Sequence, residues 1–154
     1  MKAFTLTEPW ASLVVWEEKK WETRSRPNRR IVGARVAIHA SKGFPRKALA
    51  LCETSPFIEA LARHDIEPDQ FALGHVIGFV TFASCRPVEE VRDQLSKQEL
   101  AFGDYRDGRF CYQLLDPEFI EPIPARGMLG FWEWRPQQDY YRNYAEGLPC
   151  SFPS

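Results

Sequence analysis

At 154 residues, with 44% apolar and 14% aromatic content, the chain has the size and core-forming material of one domain, which excludes bulk disorder and a second domain of similar size. Met1-Lys2-Ala3-Phe4-Thr5-Leu6-Thr7 contains no apolar signal segment, and the run Leu13-Val14-Val15-Trp16 falls far short of the ~20 residues that cross a bilayer. The net charge of −1 conceals a segregation: residues 19–47 carry ten basic side chains against Glu22 alone, or +9, and the other 125 residues carry −10.

Taken in chain order, Phe4 and Leu6 predict a short opening strand. Thr7 is the expected N-cap of a helix with Glu8 and Pro9 in its first turn, and Trp10, Leu13 and Val14 on its apolar face run on toward Glu17-Glu18. Trp21-Glu22-Thr23-Arg24 is expected to be extended, Pro27–Arg30 a loop, and Ala34–His39 a strand opened by Gly33. Residues 45–66 read as helical, broken at Ser55-Pro56. Gly74–Phe82, β-branched and aromatic, is the strongest strand signal. A helical acid–base pattern covers Val88–Leu100, and Arg109–Leu115 and Leu129–Trp134 are later strands, with Trp132 and Trp134 facing the core. Strands at the ends and centre with helices between them predict an α+β domain around a small, mostly antiparallel barrel.

The four cysteines, Cys52, Cys85, Cys111 and Cys150, form no CxxC pair, which is expected of free thiols in a cytoplasmic protein. His39, His64 and His75 lack metal-ligand spacing, so neither a metal nor a cofactor is expected, and His39 reads as an interior histidine. The basic stripe is the footprint of a polyanion binder, against the plainer reading of a solvated surface. If Trp21–Arg24 is a strand, Glu22 and Arg24 share one face, where they can pair with each other or grip a ligand. Lys19 can hold phosphate or act as a base, and Lys42 follows a strand end, a suitable place for a ligand contact. Gly103 suggests a turn that would present Asp104 and Tyr105 at a cleft mouth, where the tyrosine could stack on a base.

Several short strings occur together. Glu8-Pro9-Trp10-Ala11-Ser12-Leu13 leads to Lys19-Lys20-Trp21-Glu22-Thr23-Arg24. Then come His39-Ala40-Ser41-Lys42, Ala72–Gly78, Glu99–Tyr105, Pro122–Gly127 and Gly130-Phe131-Trp132-Glu133-Trp134. In this order they resemble the ASCH family, whose (Q)PWAS helix leads to GxKxxExR, in a small single-domain prokaryotic form. Glu17 stands at the motif's glycine, and Ser25-Arg26-Pro27 replaces the serine and tryptophan more usual after the arginine. The resemblance implies a PUA-like β-barrel over residues 1–135, with residues 136–154 as a tail packed on it or extending from it.

It also implies a cleft for RNA or a modified nucleoside. Lys19, Arg24, Arg29, Arg30, Lys42, Tyr105 and Arg109 are the expected nucleic-acid-binding residues. Some small ASCH proteins are amidohydrolases that deacetylate N4-acetylcytidine. Carried over, that site would comprise Lys19, Glu22 at the threonine position, and Glu99. A carboxylate there would serve as a general base for water rather than as a nucleophile. Ribonuclease activity is also attributed within the family, and a protein-interaction adaptor is a third reading. The charge segregation ranks nucleic-acid binding first. Lys19, Glu22, Arg24 and Lys42 are expected to line one pocket, with Glu99 and Tyr105 at its rim.

Overall fold

The structure, a computed structural model, describes residues 1–136; the expected tail lies outside the described residues beyond Pro136. The fold is α+β. Six strands, β1 (Lys2–Leu6), β2 (Trp21–Arg24), β3 (Arg35–Ala40), β4 (His75–Pro87), β5 (Phe110–Pro124) and β6 (Phe131–Glu133), form one sheet in the order β2-β5-β4-β3-β1-β6. Every neighbouring pair is antiparallel except β1 with β3. Four helices of six residues each flank it: α1 (Trp10–Val15), α2 (Arg46–Leu51), α3 (Phe57–Ala62) and α4 (Lys97–Phe102). Helices this short are not stable alone, so packing holds them.

The sheet curls strongly. Tyr112 of β5 and Phe131 of β6 lie four places apart in strand order, yet their rings sit 6.4 Å apart across the interior. Phe4, Val14, Ile38, Phe82 and Tyr112 fill that interior, and α1 closes it from one side. Trp132 and Trp134 are buried on the opposite face with Ala3, Ala37, Val76 and Phe79. The ladder remains linear, so an open seam separates β2 from the β1–β6 end.

Strand β5 runs well past the expected Leu115, through Pro117, Pro122 and Pro124. Its pairing with β2 covers only Phe110–Gln113. After one further bond, from the Leu114 amide to the Lys20 carbonyl, β5 pairs with β4 alone, and an edge strand tolerates residues that lack an amide proton. The expected Val88–Leu100 helix is instead two 3-10 turns, Val88–Glu90 and Arg92–Gln94, followed by α4. Val88 and Val91 bury at a spacing of three, and Ser96 starts α4 afresh by accepting the Glu99 amide at 3.1 Å.

Helix α1 is shorter than expected at both ends. Pro9, not Thr7, stands at its N-cap, and Glu8 does the capping: Oε2 accepts from the Ser12 amide at 3.0 Å and Oε1 from its hydroxyl at 2.8 Å. Glu8 is fully buried, and desolvation pushes its carboxyl up to about 7, against the lowering effect of both Ser12 bonds. At the other end Glu17 turns the chain at φ 62°, and the amides of Glu18 and Lys19 both reach back to the Leu13 carbonyl. That left-handed position is where the resemblance places a glycine.

Two outcomes follow from these ends. Glu17→Gly relieves the left-handed strain at an exposed site and should stabilise the fold by about 0.5–1 kcal/mol in urea denaturation. For Glu8 the folded pKa of about 7 exceeds the ordinary 4.5, so the folded chain retains a proton that the unfolded chain has released across that window. Its contribution is therefore present below pH 4.5 and lost as pH rises through 7. Glu8→Gln lacks this dependence, so the stability difference between variant and wild type should grow in the variant's favour from pH 5 to about 8.

Candidate nucleic-acid cleft

The open seam forms a cleft of about 540 Å³. Strand β2 supplies Glu22, Thr23 and Arg24, with Lys19 just before it; Thr5, Leu6 and Leu129 form the opposite side, and Asp104 closes the α4 end. Lys19 is only 2% exposed. Its Nζ lies 3.1 Å from Glu22 Oε2 and also donates to the Trp21 carbonyl. Beneath the strand, Glu99 accepts from the Lys20 amide at 3.0 Å and from the Trp21 amide at 3.1 Å. Thr23 Oγ1 accepts from the Asp104 amide at 3.1 Å, tying β2 to the segment after α4.

Glu22 and Arg24 both reach the cleft, as strand alternation requires. They do not pair with each other: the Arg24 guanidinium lies 4.9 Å above the Phe4 ring, a cation–π contact. Glu22 Oε1 has no hydrogen-bond partner among the described residues. Asp104 is committed elsewhere. Its carboxylate takes two bonds from Arg106, at 2.8 and 2.6 Å, which hold it down to about 2.

Several expected site residues stand elsewhere. Lys42 lines an adjoining cavity of about 900 Å³, which shares Thr5, Ser41 and Leu129 with the first. Glu99 is not at the rim. It is buried under β2, where both oxygens serve backbone amides, and desolvation pushes its carboxyl up against the lowering effect of those amides and of Lys19.

Tyr105 is also interior, packed with Val88, Val91 and Cys111, so its ring is not free to stack on a base. The space it fills exists because residue 103 is glycine: a Cβ there would come within 2.7 Å of the Tyr105 ring. Its hydroxyl is buried without a hydrogen-bond partner, and desolvation, then Glu99, raises its pKa strongly. Arg109 donates to the Asp104 carbonyl at 2.9 Å and lies outside the cleft lining. Arg29 and Arg30 are exposed on the 3-10 turn after β2, outside both cavities.

His39 is interior, as expected. Nε2 lies 2.9 Å from the Ala125 carbonyl and Nδ1 lies 3.3 Å from Thr5 Oγ1, which accepts from Trp132 Nε1 at 2.9 Å. These partners suit a neutral imidazole, and desolvation lowers its pKa. Cys52, Cys85 and Cys111 are free thiols. Among the described residues no cluster of His, Cys, Asp or Glu could hold a metal, and no helix is long and apolar enough to cross a membrane. Sequence reasoning passed over Leu129 and Arg126 as site residues. The available signal was the apolar pair Met128-Leu129 between two glycines, 62% and 98% exposed.

The curled sheet, its flanking short helices and the cleft at its seam make a fold like that of ASCH proteins of known structure. The chain is similar to the crystal structure of ASCH from Zymomonas mobilis, with a TM-score of 0.54 and 16% identity over 94% of this chain and 93% of that one. It is also similar to a serine-to-alanine variant of that protein, at TM-score 0.53 and 18% identity over 94% of each chain. A tyrosine-to-phenylalanine variant gives the same score and identity over 94% of this chain and 96% of that one. The likeness is one of fold. The sequence matches no family model and no curated protein.

Glu99→Ala leaves the amides of Lys20 and Trp21, at the start of β2, without their acceptors and should cost about 2 kcal/mol in urea denaturation, with Glu99→Gln, which keeps one acceptor oxygen, costing less. A Glu99→Ala variant as stable as wild type would contradict the anchoring role.

Proposed function

We propose that the cleft binds a base of single-stranded RNA, or the same base in a modified nucleoside. The observation that carries this reading is the Lys19–Glu22 pair at the cleft floor, with Glu22 Oε1 unengaged beside an Arg24 that has no carboxylate partner among the described residues. An open carboxylate oxygen accepts from the amino group of a base, and a guanidinium donates to its carbonyl or to a ribose oxygen. Burying a charged pair is costly, so its placement in a cleft favours use over stability alone.

Charge distribution supports a nucleic-acid ligand. Of the ten basic residues in 19–47, only Lys19 and Arg35 form ion pairs among the described residues. Elsewhere among the described residues Lys2, Arg63, Arg86, Arg92, Arg106 and Arg109 do, and Lys97, Arg126 and Arg135 do not. The stripe therefore keeps its positive potential where most other cations among the described residues are neutralised locally. A protein-interaction adaptor has no need of this.

A hydrolytic reading stands second, for an N4-acylated cytidine or for RNA itself. It is favoured by the adjacency of a carboxylate able to activate water and an ammonium able to stabilise developing negative charge.

Fluorescence anisotropy with a labelled hexaribonucleotide tests binding. Wild type should bind at about 50 mM salt and lose affinity steeply as salt rises, and Arg24→Ala should weaken binding about tenfold without changing the fold. Glu22→Gln should alter preference among hexamers of different base. An absence of binding at low salt, or affinity untouched by both substitutions, would overturn the reading. Chromatography of N4-acetylcytidine and labelled RNA after incubation separates the two readings: product that disappears with Glu22→Gln establishes hydrolysis.

A further inference from the structure

The second cavity differs from the first in its electrostatics. Its lining contains Lys42 and Arg126 and no carboxylate, whereas the first sets Lys19 and Arg24 against Glu22 and Asp104. Neither Lys42 nor Arg126 has an ion-pair partner among the described residues, and both are exposed. The cavities meet along Thr5, Ser41 and Leu129. Their junction is built in place: Gly127 packs against the His39 ring, where any Cβ would collide with the imidazole, and His39 is in turn bonded to Thr5 and the Ala125 carbonyl. The 125–130 segment thus holds Arg126 on one side of the junction and Leu129 against both cavities.

From this arrangement we infer that the second cavity is a phosphate subsite, and that the ligand is a strand of at least two nucleotides. This rests on the first cleft receiving a base. A bare polyanion suits only the second cavity, since Glu22 and Asp104 repel it from the first. A free nucleoside leaves Lys42 and Arg126 unused. A strand satisfies both: its neutral, hydrogen-bonding base enters beside Glu22 and Arg24, and the backbone phosphate of the adjoining nucleotide meets the two unpaired cations. Leu129 offers the apolar edge against which the intervening ribose and base can lie. Lys42 contributes a point charge and Arg126 a planar fork, both suited to phosphate oxygens.

The test compares cytidine, cytidine monophosphate and a labelled hexacytidylate on the intact protein, by calorimetry and anisotropy. Lys42→Ala with Arg126→Ala should weaken hexacytidylate binding about tenfold and flatten the log–log salt slope by about 0.7, the amount for one phosphate no longer neutralised. Cytidine binding should be unchanged by the same pair, and both sites are exposed, so the melting temperature should hold. Hexacytidylate affinity and salt slope unaffected by the double variant would overturn the subsite. Cytidine monophosphate binding as tightly as hexacytidylate would overturn the strand. Failure of the base-binding reading looks different: there Arg24→Ala and Glu22→Gln leave hexacytidylate binding intact while the Lys42 and Arg126 substitutions still weaken it.

Discussion

Strand β2 pairs with β5 on one side only, and its other edge borders the cleft, so its outward backbone groups must be met by side chains. Lys19 Nζ donates to the Trp21 carbonyl, and Glu99 accepts from the Lys20 and Trp21 amides. Charged side chains thus stand in for an absent neighbouring strand. Completing the barrel with such a strand would bury these groups and remove the cleft. Leaving the edge unmet would free the strand that carries Glu22 and Arg24. The seam stays open because these residues hold one of its sides.

The same arrangement explains why Lys19 and Glu22 can be buried together. The ammonium has a carboxylate and a carbonyl to donate to, and the carboxylate has a cation at 3.1 Å. Desolvation of either charge alone would be prohibitive. Structural and ligand-directed roles are therefore not alternatives for this pair. The bonds that anchor the strand use Lys19 and Glu22 Oε2, which leaves the remaining carboxylate oxygen to the cleft.

Opposite charges divide by their partners as well as by sequence. Several acidic residues beyond the stripe neutralise nearby cations, as Asp104 does with Arg106 and Glu18 with Arg63. Within residues 19–47 the single acid is outnumbered, and the surplus cations lie on β2, on the turn that follows it and around the second cavity. On the proposed reading, long-range attraction draws a polyanion to the seam, and the mixed charges of the first cleft discriminate among what arrives.

Strand periodicity and turn chemistry in the sequence determined the α+β class, the positions of β1 to β4, and the shared face of Glu22 and Arg24, because alternation is a local property of an extended chain. The order of motifs carried the fold that the structure shows. Tertiary structure alone decided where β5 ends, since prolines are admissible only because β2 stops pairing at Phe110–Gln113. It alone separated Lys42 from Lys19 by the ridge of Thr5, Ser41 and Leu129, and it placed Tyr105 behind Gly103 and Glu99 beneath β2. Those placements depend largely on contacts between residues distant in the chain, such as Glu99 with Lys20 and Trp21, set by how far the sheet curls before its edges meet. Spacing along the chain determines which side of a strand a residue occupies. It does not determine which of two neighbouring cavities that side will face.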